Sequence, residues 1–212
     1  APKSLLLWRS ETQWLGGMGI IVLATIIFSR LFGGGVQVLQ AEMPGTSITR
    51  LKPQMAQTAR LLWSLYFTLT FLEVSLLFAL TDMPLYDSIC NSFSTVSTGG
   101  FSPKIESIGY YDDPISDLII TLFMFVSGIN FVILYYVFNY LTKSTGSFSK
   151  NFKSAFKVIR DNDELKVYSF LVFICFSAIF LNRTLRGEDL EYGTNFRYTI
   201  FQTVSLLTGT GF

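Results

Sequence analysis

Long uncharged stretches dominate the pattern of hydrophobic and polar positions along the chain. A helix needs about 20 mostly apolar residues to cross the hydrocarbon core of a membrane. Such segments must be helical in lipid, because each unpaired backbone group costs several kcal/mol there. The pattern predicts four membrane-spanning helices rather than buried helices of a soluble protein: Leu15–Ser29, Leu61–Thr81, Leu118–Thr142 and Val167–Asn182, the last expected to begin earlier, near Glu164.

Charge divides the connections between these helices into two kinds. Cytoplasmic loops of membrane proteins carry an excess of Lys and Arg, and the connections 36–60 and 143–165 are rich in both. The connection after the second span is acidic, with Lys104 as its only basic residue, and the stretch after the fourth is balanced. We expect the first pair to be cytoplasmic and the second pair to lie outside. An acidic outer vestibule would concentrate cations; a solvated acidic loop without a role is the open alternative.

Each outside connection contains an apolar segment too short to cross, Leu85–Val96 in one and Phe196–Leu207 in the other. Each segment is followed by a glycine-rich run that ends in Gly-Phe, Ser97–Phe101 and Thr208–Phe212. The approaches share the pattern Phe-x-Thr-Val-Ser. The chain therefore contains an internal repeat, in which a spanning helix is followed by a re-entrant short helix and a loop.

Two registers relate the repeats. The Gly-Phe ends align at a spacing of 111 residues, which pairs Ser97 with Thr208 and Gly100 with Gly211. The Phe-x-Thr-Val-Ser approaches, which start at Phe93 and Phe201, align at 108. We expect the spacing of 111 near the runs, with a slip of three residues in the approaches.

The two runs have the composition of a cation filter. Glycine permits dihedral angles that turn successive carbonyl groups toward one axis, and such oxygens replace the hydration shell of a cation. The C-terminal end of each short helix adds a negative partial charge at the same place. The predicted ion ligands are carbonyl or hydroxyl oxygens of eight residues: Ser97, Thr98, Gly99, Gly100, Thr208, Gly209, Thr210 and Gly211.

Composition narrows the chemistry further. Among 212 residues only 15% are charged, the net charge is +1 and there is no histidine. A basic nucleic-acid surface and an imidazole general base are therefore excluded. Cys90 and Cys175 are interpreted as packing residues, and the glycines within the spans, Gly16, Gly17, Gly19 and Gly128, as sites of close helix approach.

Four motifs resemble the Trk/Ktr/HKT superfamily of potassium transporters, most closely its bacterial TrkH/TrkG type. They are Trp14–Val22 (WLGGMGIIV), Gln40–Gly45 (QAEMPG), Ser94–Ser102 (STVSTGGFS) and Gly128–Phe131 (GINF). The resemblance implies an all-α integral membrane protein built from repeated units of helix, re-entrant pore helix, filter loop and helix, related to potassium channels. The runs depart from the TVGYG filter of tetrameric channels, so cation conduction is predicted more directly than selection of K⁺ over Na⁺.

The resemblance also assigns the parts of the chain and its surroundings. Residues 1–35 would be the outgoing helix of a first repeat, 61–142 a complete second repeat with its filter near 97–101, and 166–212 a third repeat up to its filter at 208–212. The first filter and the fourth repeat are expected outside this chain. The implied setting is a multi-pass protein of the bacterial inner membrane that transports K⁺ without a cofactor. The implied partners are membrane lipid, a second full-length chain and a cytosolic nucleotide-binding ring subunit, which would bind the basic run Lys143–Arg160.

Glu73 is the only ionisable residue inside a predicted span, and an intramembrane acid suggests function. It could couple transport to protons, assist a cation, or be a protonated or hydrogen-bonded residue that faces another helix. A proton-coupled transporter is therefore the main alternative to a carbonyl-lined pore. A membrane enzyme or a scaffold is less favoured, because the sequence offers no nucleophile or acid-base pair at a shared depth.

Overall fold

The computed structural model describes residues 1–19, 51–142, 152, 155–156, 159–186 and 192–212. No strand occurs among these residues, and a short 3₁₀ helix covers Ser107–Tyr110. The expected all-α class is confirmed. The α-helices are α1 (3–19, where the first described stretch ends), α2 (Leu51–Leu80), α3 (Leu85–Val96), α4 (Pro114–Ser127), α5 (Phe131–Thr142), α6 (Asp163–Leu185) and α7 (Tyr192–Leu207).

Two helices are long and apolar enough to cross a membrane, Arg60–Leu80 within α2 and Asp163–Leu185. They match the second and fourth predicted spans. The helix α2 begins at Leu51, so the prediction of a loop up to residue 60 is wrong for its last ten residues. In α6, the side chain of Asn162 accepts a hydrogen bond from Leu165 N–H at 2.9 Å. This N-cap fixes the start of the helix at Asp163, close to the expected start near Glu164.

The third predicted span is broken, and its description as one uninterrupted helix is wrong. The helix α4 ends at Ser127, and α5 begins at Phe131. Asp113 caps the start of α4 by accepting hydrogen bonds from the N–H groups of the next turn, with Pro114 at the first helical position. The break falls on the Gly-Ile-Asn motif, which continuous apolar character concealed.

The helix α1 begins at residue 3, twelve residues before the predicted span at Leu15. Its buried residues Trp14 and Met18 pack with Leu62 and Tyr66 of α2 and with Val96 of α3. The Trp14 indole N–H donates to Thr70 Oγ1 at 3.0 Å. This cluster holds α1 against the end of α3, whereas residues 20–29 of the predicted first span lie outside the described residues.

The short helices occur where they were predicted. The helix α3 has the predicted bounds, Leu85–Val96, and α7 begins four residues before the predicted Phe196. A second apolar cluster joins them to their neighbours, since Leu77 of α2, Ile120 and Met124 of α4, and Val204 of α7 are buried together. The two repeats therefore share a core beside the two glycine-rich runs.

The outer faces of the long helices are apolar and exposed. On α2, Phe67, Phe71 and Phe78 are all more than half exposed, and Phe170 and Phe173 on α6 are similar. Contiguous apolar surface of this kind is unusual on a soluble protein and is typical of a surface that faces lipid or other protein.

Candidate ion-binding site

The first glycine-rich run, Ser97–Phe101, directly follows the end of α3 and folds back onto its last turn. The last turn accepts hydrogen bonds from the backbone N–H groups of the run. The donor–acceptor pairs are Ser97 N to Phe93 O (3.3 Å), Thr98 N to Thr95 O (3.0 Å), Gly99 N to Ser94 O (2.7 Å) and Phe101 N to Ser94 Oγ (2.5 Å).

The second run, Thr208–Phe212, folds onto the end of α7 in a similar way. Its pairs are Thr208 N to Val204 O (3.0 Å), Gly209 N to Leu206 O (3.1 Å), Gly211 N to Ser205 O (3.2 Å) and Phe212 N to Ser205 Oγ (3.0 Å). Ser94 and Ser205 therefore do the same work, because each uses both its carbonyl and its hydroxyl to hold a run. Sequence reasoning missed these serines; the available signal was their shared position, seven residues before the final Phe.

These hydrogen bonds settle the register. Residues related by a spacing of 111 play matching parts in three of the four bonds, and α3 and α7 also end 111 residues apart. The preference for 111 at the Gly-Phe ends is confirmed. The expected slip to 108 in the approaches is wrong for the last helical turn, where Ser94 corresponds to Ser205. The matching Phe-x-Thr-Val-Ser letters are therefore one helical turn out of structural register.

The backbone of both runs alternates in handedness. The angle φ is positive at Thr98 (52°) and Gly100 (68°), and at Gly209 (74°) and Gly211 (78°), but not at the residues between them. Alternating handedness brings successive backbone groups of one kind to the same side. Within the described part of the chain, no donor forms a hydrogen bond to the carbonyl oxygens of residues 97–100 or 208–211. Most N–H donors of the runs are thus paired, and the carbonyl acceptors are free.

The two runs touch each other. A Cβ atom added to Gly100 would overlap the carbonyl oxygen of Thr210 and would lie 2.9 Å from the carbonyl carbon of Gly211. Only a glycine therefore fits at position 100 without a shift of the second run. The predicted ligand residues from the two repeats are brought together at this point.

Two of the predicted hydroxyl ligands point toward the helices. Ser97 Oγ donates to Phe93 O at 2.7 Å, and Thr208 Oγ1 donates to Val204 O at 2.9 Å. Thr208 Oγ1 also lies 2.7 Å from Thr210 Oγ1. The protons of Ser97 and Thr208 are thus engaged with the preceding turn, which leaves the backbone carbonyls as the unengaged oxygen groups of these residues.

The helix α1 supports the first run. A Cβ on Gly17 would lie 3.0 Å from Ser97 Cβ, and a Cβ on Gly99 would lie 2.5 Å from Gln13 Cγ. The packing interpretation of Gly17 is confirmed, whereas Gly16 and Gly19 have open space around them among the described residues. Gln13 is a neighbour of the site that sequence reasoning did not identify.

The break between α4 and α5 supports the second run. A Cβ on Gly128 would lie 3.0 Å from Thr208 Cγ2 and 2.7 Å from the Tyr168 hydroxyl. That hydroxyl donates to Phe125 O at 3.2 Å. Gly128 is therefore a packing position, as predicted, and its neighbours are the run of the other repeat and α6.

Glu73 lies on the side of α2 that packs against α3, and its side chain is fully buried. Neither of its carboxyl oxygens has a hydrogen-bond partner among the described residues. Thr95, one turn before the first run, is the hydroxyl residue that interacts with it. Glu73 therefore stands behind the pore helix and not among the free carbonyls of the runs.

The acidic outer connection is partly neutralised. Asp87 pairs with Lys104 at 3.4 Å, and Arg197 of α7 pairs with Asp112 at 2.7 Å and with Asp117 at 3.4 Å. Asp117 precedes the third predicted span, and burial raises its pKa to about 6, although Arg197 opposes the shift. These carboxyls thus fasten the two pore helices to the outer connection, which is a structural use of charge that the vestibule hypothesis did not include.

A cavity of about 300 Å³ lies beside this outer connection, away from the runs. Asp82, Asp112 and Asp113 line it together with Thr81 and Tyr111. None of the predicted ion ligands borders it. The cavity is therefore distinct from the site that the repeat predicts.

Comparison with known proteins assigns the chain. A family model described as TrkH, cation transport protein, matches residues 1–212. The Trk system potassium uptake protein TrkH of Vibrio parahaemolyticus is 35% identical over 212 residues, which cover all of this chain and 41% of that protein. TrkG of Escherichia coli K12 is 40% identical over 137 residues, 64% of this chain and 28% of that protein.

A solved structure gives the same relationship. The crystal structure of the potassium transporter TrkH from Vibrio parahaemolyticus matches with a TM-score of 0.76 at 31% identity, over 97% of this chain and 38% of that chain. The chain thus spans about two fifths of the length of the curated TrkH relatives that it matches along its whole length. The resemblance drawn from the four motifs is confirmed, and the preference for a transporter over an enzyme agrees with it. The chain belongs to the TrkH family of cation transport proteins.

Proposed function

We propose that this chain supplies two filter strands of a potassium transporter of the bacterial membrane. The observation that carries the proposal is the pairing of N–H donors and the freedom of carbonyl acceptors in residues 97–100 and 208–211. A cation that enters between these oxygens can exchange its hydration shell for carbonyl dipoles. The relatives and the structural neighbour are named as potassium transport proteins, which supports K⁺ as the ion.

The chemistry of the runs suits transport better than storage. Neither run contains a carboxylate, so the ligands are neutral dipoles that bind a cation without a fixed countercharge. Conduction requires binding that is favourable enough for entry and weak enough for exit. The C-terminal ends of α3 and α7 add only partial negative charges beside the runs. This combination favours rapid exchange of a monovalent cation.

Two strands cannot encircle an ion, so we propose that further segments complete the ring. The units 61–142 and 166–212 would be the second and third repeats of four, as the family resemblance implies. The contact between Gly100 and Thr210 supports adjacent positions for their filter strands. Residues 1–35 would contain the outgoing helix of the first repeat, of which the structure describes 1–19.

We propose a multi-pass position in the bacterial inner membrane, with the connections 36–60 and 143–165 in the cytoplasm. The excess of Lys and Arg in these connections supports the orientation. Exposed phenylalanines on α2 and α6 support contact with membrane lipid. Pairing of full-length chains, and binding of a cytosolic nucleotide-binding ring subunit to the basic run Lys143–Arg160, rest on the family resemblance. Most of that run lies outside the described residues.

Potassium uptake by cells that require added K⁺ tests this function. The full transporter that contains this chain is expressed with Gly100→Ser or Gly211→Ser and compared at matched membrane abundance. Each side chain would occupy a left-handed position of a run and displace carbonyl oxygens. We expect the preference for K⁺ over Na⁺, or the affinity for K⁺, to fall by about tenfold, which corresponds to about 1.4 kcal/mol.

Gly109→Ser is the matched control, because Gly109 lies in the outer connection with open space around it. This variant should transport K⁺ as the unmodified protein does. Normal affinity and selectivity in both filter variants would contradict the proposal and would reduce the runs to ordinary loops.

A further inference from the structure

Glu73 occupies an apolar setting between two clusters of buried side chains. One turn of α2 toward the outside lies Leu77, which belongs to the core shared by α4 and α7. Two turns in the other direction lies Tyr66, which packs with Trp14 and Val96. Glu73 itself has no exposed surface, and no basic residue among those described pairs with it. An ionised carboxylate in such a place would lose several kcal/mol of hydration without compensation.

The hydrogen bonds of Thr95 identify what Glu73 must supply. Thr95 Oγ1 lies 2.9 Å from the carbonyl oxygen of Asn91, and because a carbonyl cannot donate, the hydroxyl proton belongs to that bond. Only lone pairs of the Thr95 oxygen remain for its neighbour Glu73. A carboxylate also offers only lone pairs, so two acceptors would face each other. A protonated carboxyl supplies the missing hydrogen.

Thr95 is also the residue that begins the support of the first run. Its carbonyl oxygen accepts the Thr98 N–H at 3.0 Å, and its neighbour Ser94 holds Gly99 and Phe101. A change in the position of Thr95 would therefore be passed directly to the predicted ion ligands. The corresponding residue of the second repeat, 111 positions later, is Leu206, which is 68% exposed.

We infer that Glu73 is held in its protonated form as a hydrogen-bond donor to Thr95, and that it acts as a positioning residue for the first run. It neither binds the transported ion nor exchanges its proton during transport. The positioning role rests on the proposed function, whereas the protonated state does not. The proposal is distinct from proton coupling, which requires a carboxyl that loses and regains its proton.

Infrared spectroscopy of the purified full transporter tests the protonated state without any transport measurement. At alkaline pH, where exposed carboxyls are ionised, the unmodified protein should show a carbonyl stretching band of a protonated carboxylic acid that Glu73→Gln lacks. Loss of carboxylate absorption instead, with no change in the acid band, would show that Glu73 is ionised and would overturn the inference.

Transport by matched variants tests the positioning role. Glu73→Gln keeps a neutral donor of similar shape and should retain K⁺ over Na⁺ preference within about twofold, with an unchanged pH profile. Glu73→Leu and Thr95→Val each remove one partner and should lower that preference by about tenfold, which corresponds to about 1.4 kcal/mol. The double variant should be no worse than either single variant, because both remove the same interaction.

Two outcomes would overturn the positioning role. Loss of pH-dependent uptake in Glu73→Gln would favour proton coupling, and equal selectivity in Glu73→Leu would separate Glu73 from the filter. If Glu73→Leu does not fold, Thr95→Val compared with Thr95→Ser measures the same contact from the other side. Failure of the proposed function would abolish filter effects at Gly100 and Gly211 as well, and would leave the infrared result unchanged.

Discussion

The two glycine-rich runs share a hydrogen-bond scaffold but differ in what surrounds them. In each run a serine seven residues before the final Phe accepts two N–H groups, and two residues have positive φ. The first run is half-buried against α1 and lies behind a pore helix that faces Glu73. In the second run Gly209 and Gly211 are exposed, and an added Cβ would meet no atom within 4 Å among the described residues.

This difference separates conformation from support. The backbone path is set locally, by the last turn of each short helix and by the left-handed positions. Residue type at those positions is not fixed, because Thr98 and Gly209 correspond at the spacing of 111 and both have positive φ. The surroundings then decide how far a run can move when it is disturbed.

The largest expected effect separates Gly100 from Gly211. Gly100→Ala places a Cβ against the carbonyl oxygen of Thr210, whereas Gly211→Ala meets open space and pays only the cost of a left-handed residue, roughly 1–2 kcal/mol. We expect Gly100→Ala to abolish K⁺ uptake and Gly211→Ala to retain a measurable fraction. Uptake and the thermal unfolding midpoint in detergent check this order. Equal loss in both would show that contact between the runs does not matter.

The shared scaffold predicts equal effects at two serines. Ser94→Ala and Ser205→Ala each remove the hydroxyl that accepts a Phe N–H, at a cost of about 1–3 kcal/mol for the donor left unpaired. Both should lower K⁺ selectivity by a similar factor. Ser92→Ala is the control, because the buried Ser92 hydroxyl has no hydrogen-bond partner among the described residues. A much smaller effect at Ser205 than at Ser94 would mean that the two scaffolds are not equivalent.

The left-handed position of the first run predicts a stabilising substitution. Thr98→Gly removes a β-branched residue from positive φ (52°), and glycine adopts this region without steric cost. We expect stability to rise by a few tenths of a kcal/mol to about 1 kcal/mol, after the greater chain entropy of glycine in the unfolded state. The reverse substitution, Gly209→Thr, should lower it. A fall in the unfolding midpoint of Thr98→Gly would indicate that the Thr98 side chain makes a contact that stabilises the run.

The smallest effect concerns the outer attachment of α7. The pKa of Asp117 in the folded protein is about 6, above the usual 3.8, so the folded state binds more protons than the unfolded state between these values. Stability should therefore fall slightly as pH rises from about 4 to about 6 and level off above that. Asp117→Asn should flatten this part of the profile of unfolding midpoint against pH. Glu106→Gln, an exposed carboxyl of the same connection, should not, and an unchanged slope in Asp117→Asn would assign the dependence to other groups.

Much of the architecture was predictable because lipid simplifies the problem. Uncharged length alone located α2 and α6, and a short apolar segment before a glycine-rich run located α3 with its observed bounds. The break between α4 and α5 was not predictable in this way. Hydrophobicity reports burial in lipid or protein, and it stays high through Gly128 and Ile129 although the helix stops there.

The site was predictable in its residues but not in its geometry. Composition and repetition indicated the runs, whereas the register depended on which N–H groups meet Ser94 and Ser205. Letter matching favoured 108 in the approaches because helix faces tolerate similar residues one turn apart. The neighbours Gln13 and Tyr168 come from distant parts of the chain, and no local pattern marks them.

The most direct test of the account is to locate the ion. Crystals of the full transporter that contains this chain, grown with Tl⁺ in place of K⁺, would show the cation by its anomalous scattering. The account predicts a peak bordered by carbonyl oxygens of Ser97–Gly100 and Thr208–Gly211. A peak only at the outer cavity lined by Asp82, Asp112 and Asp113, with none beside the runs, would contradict it.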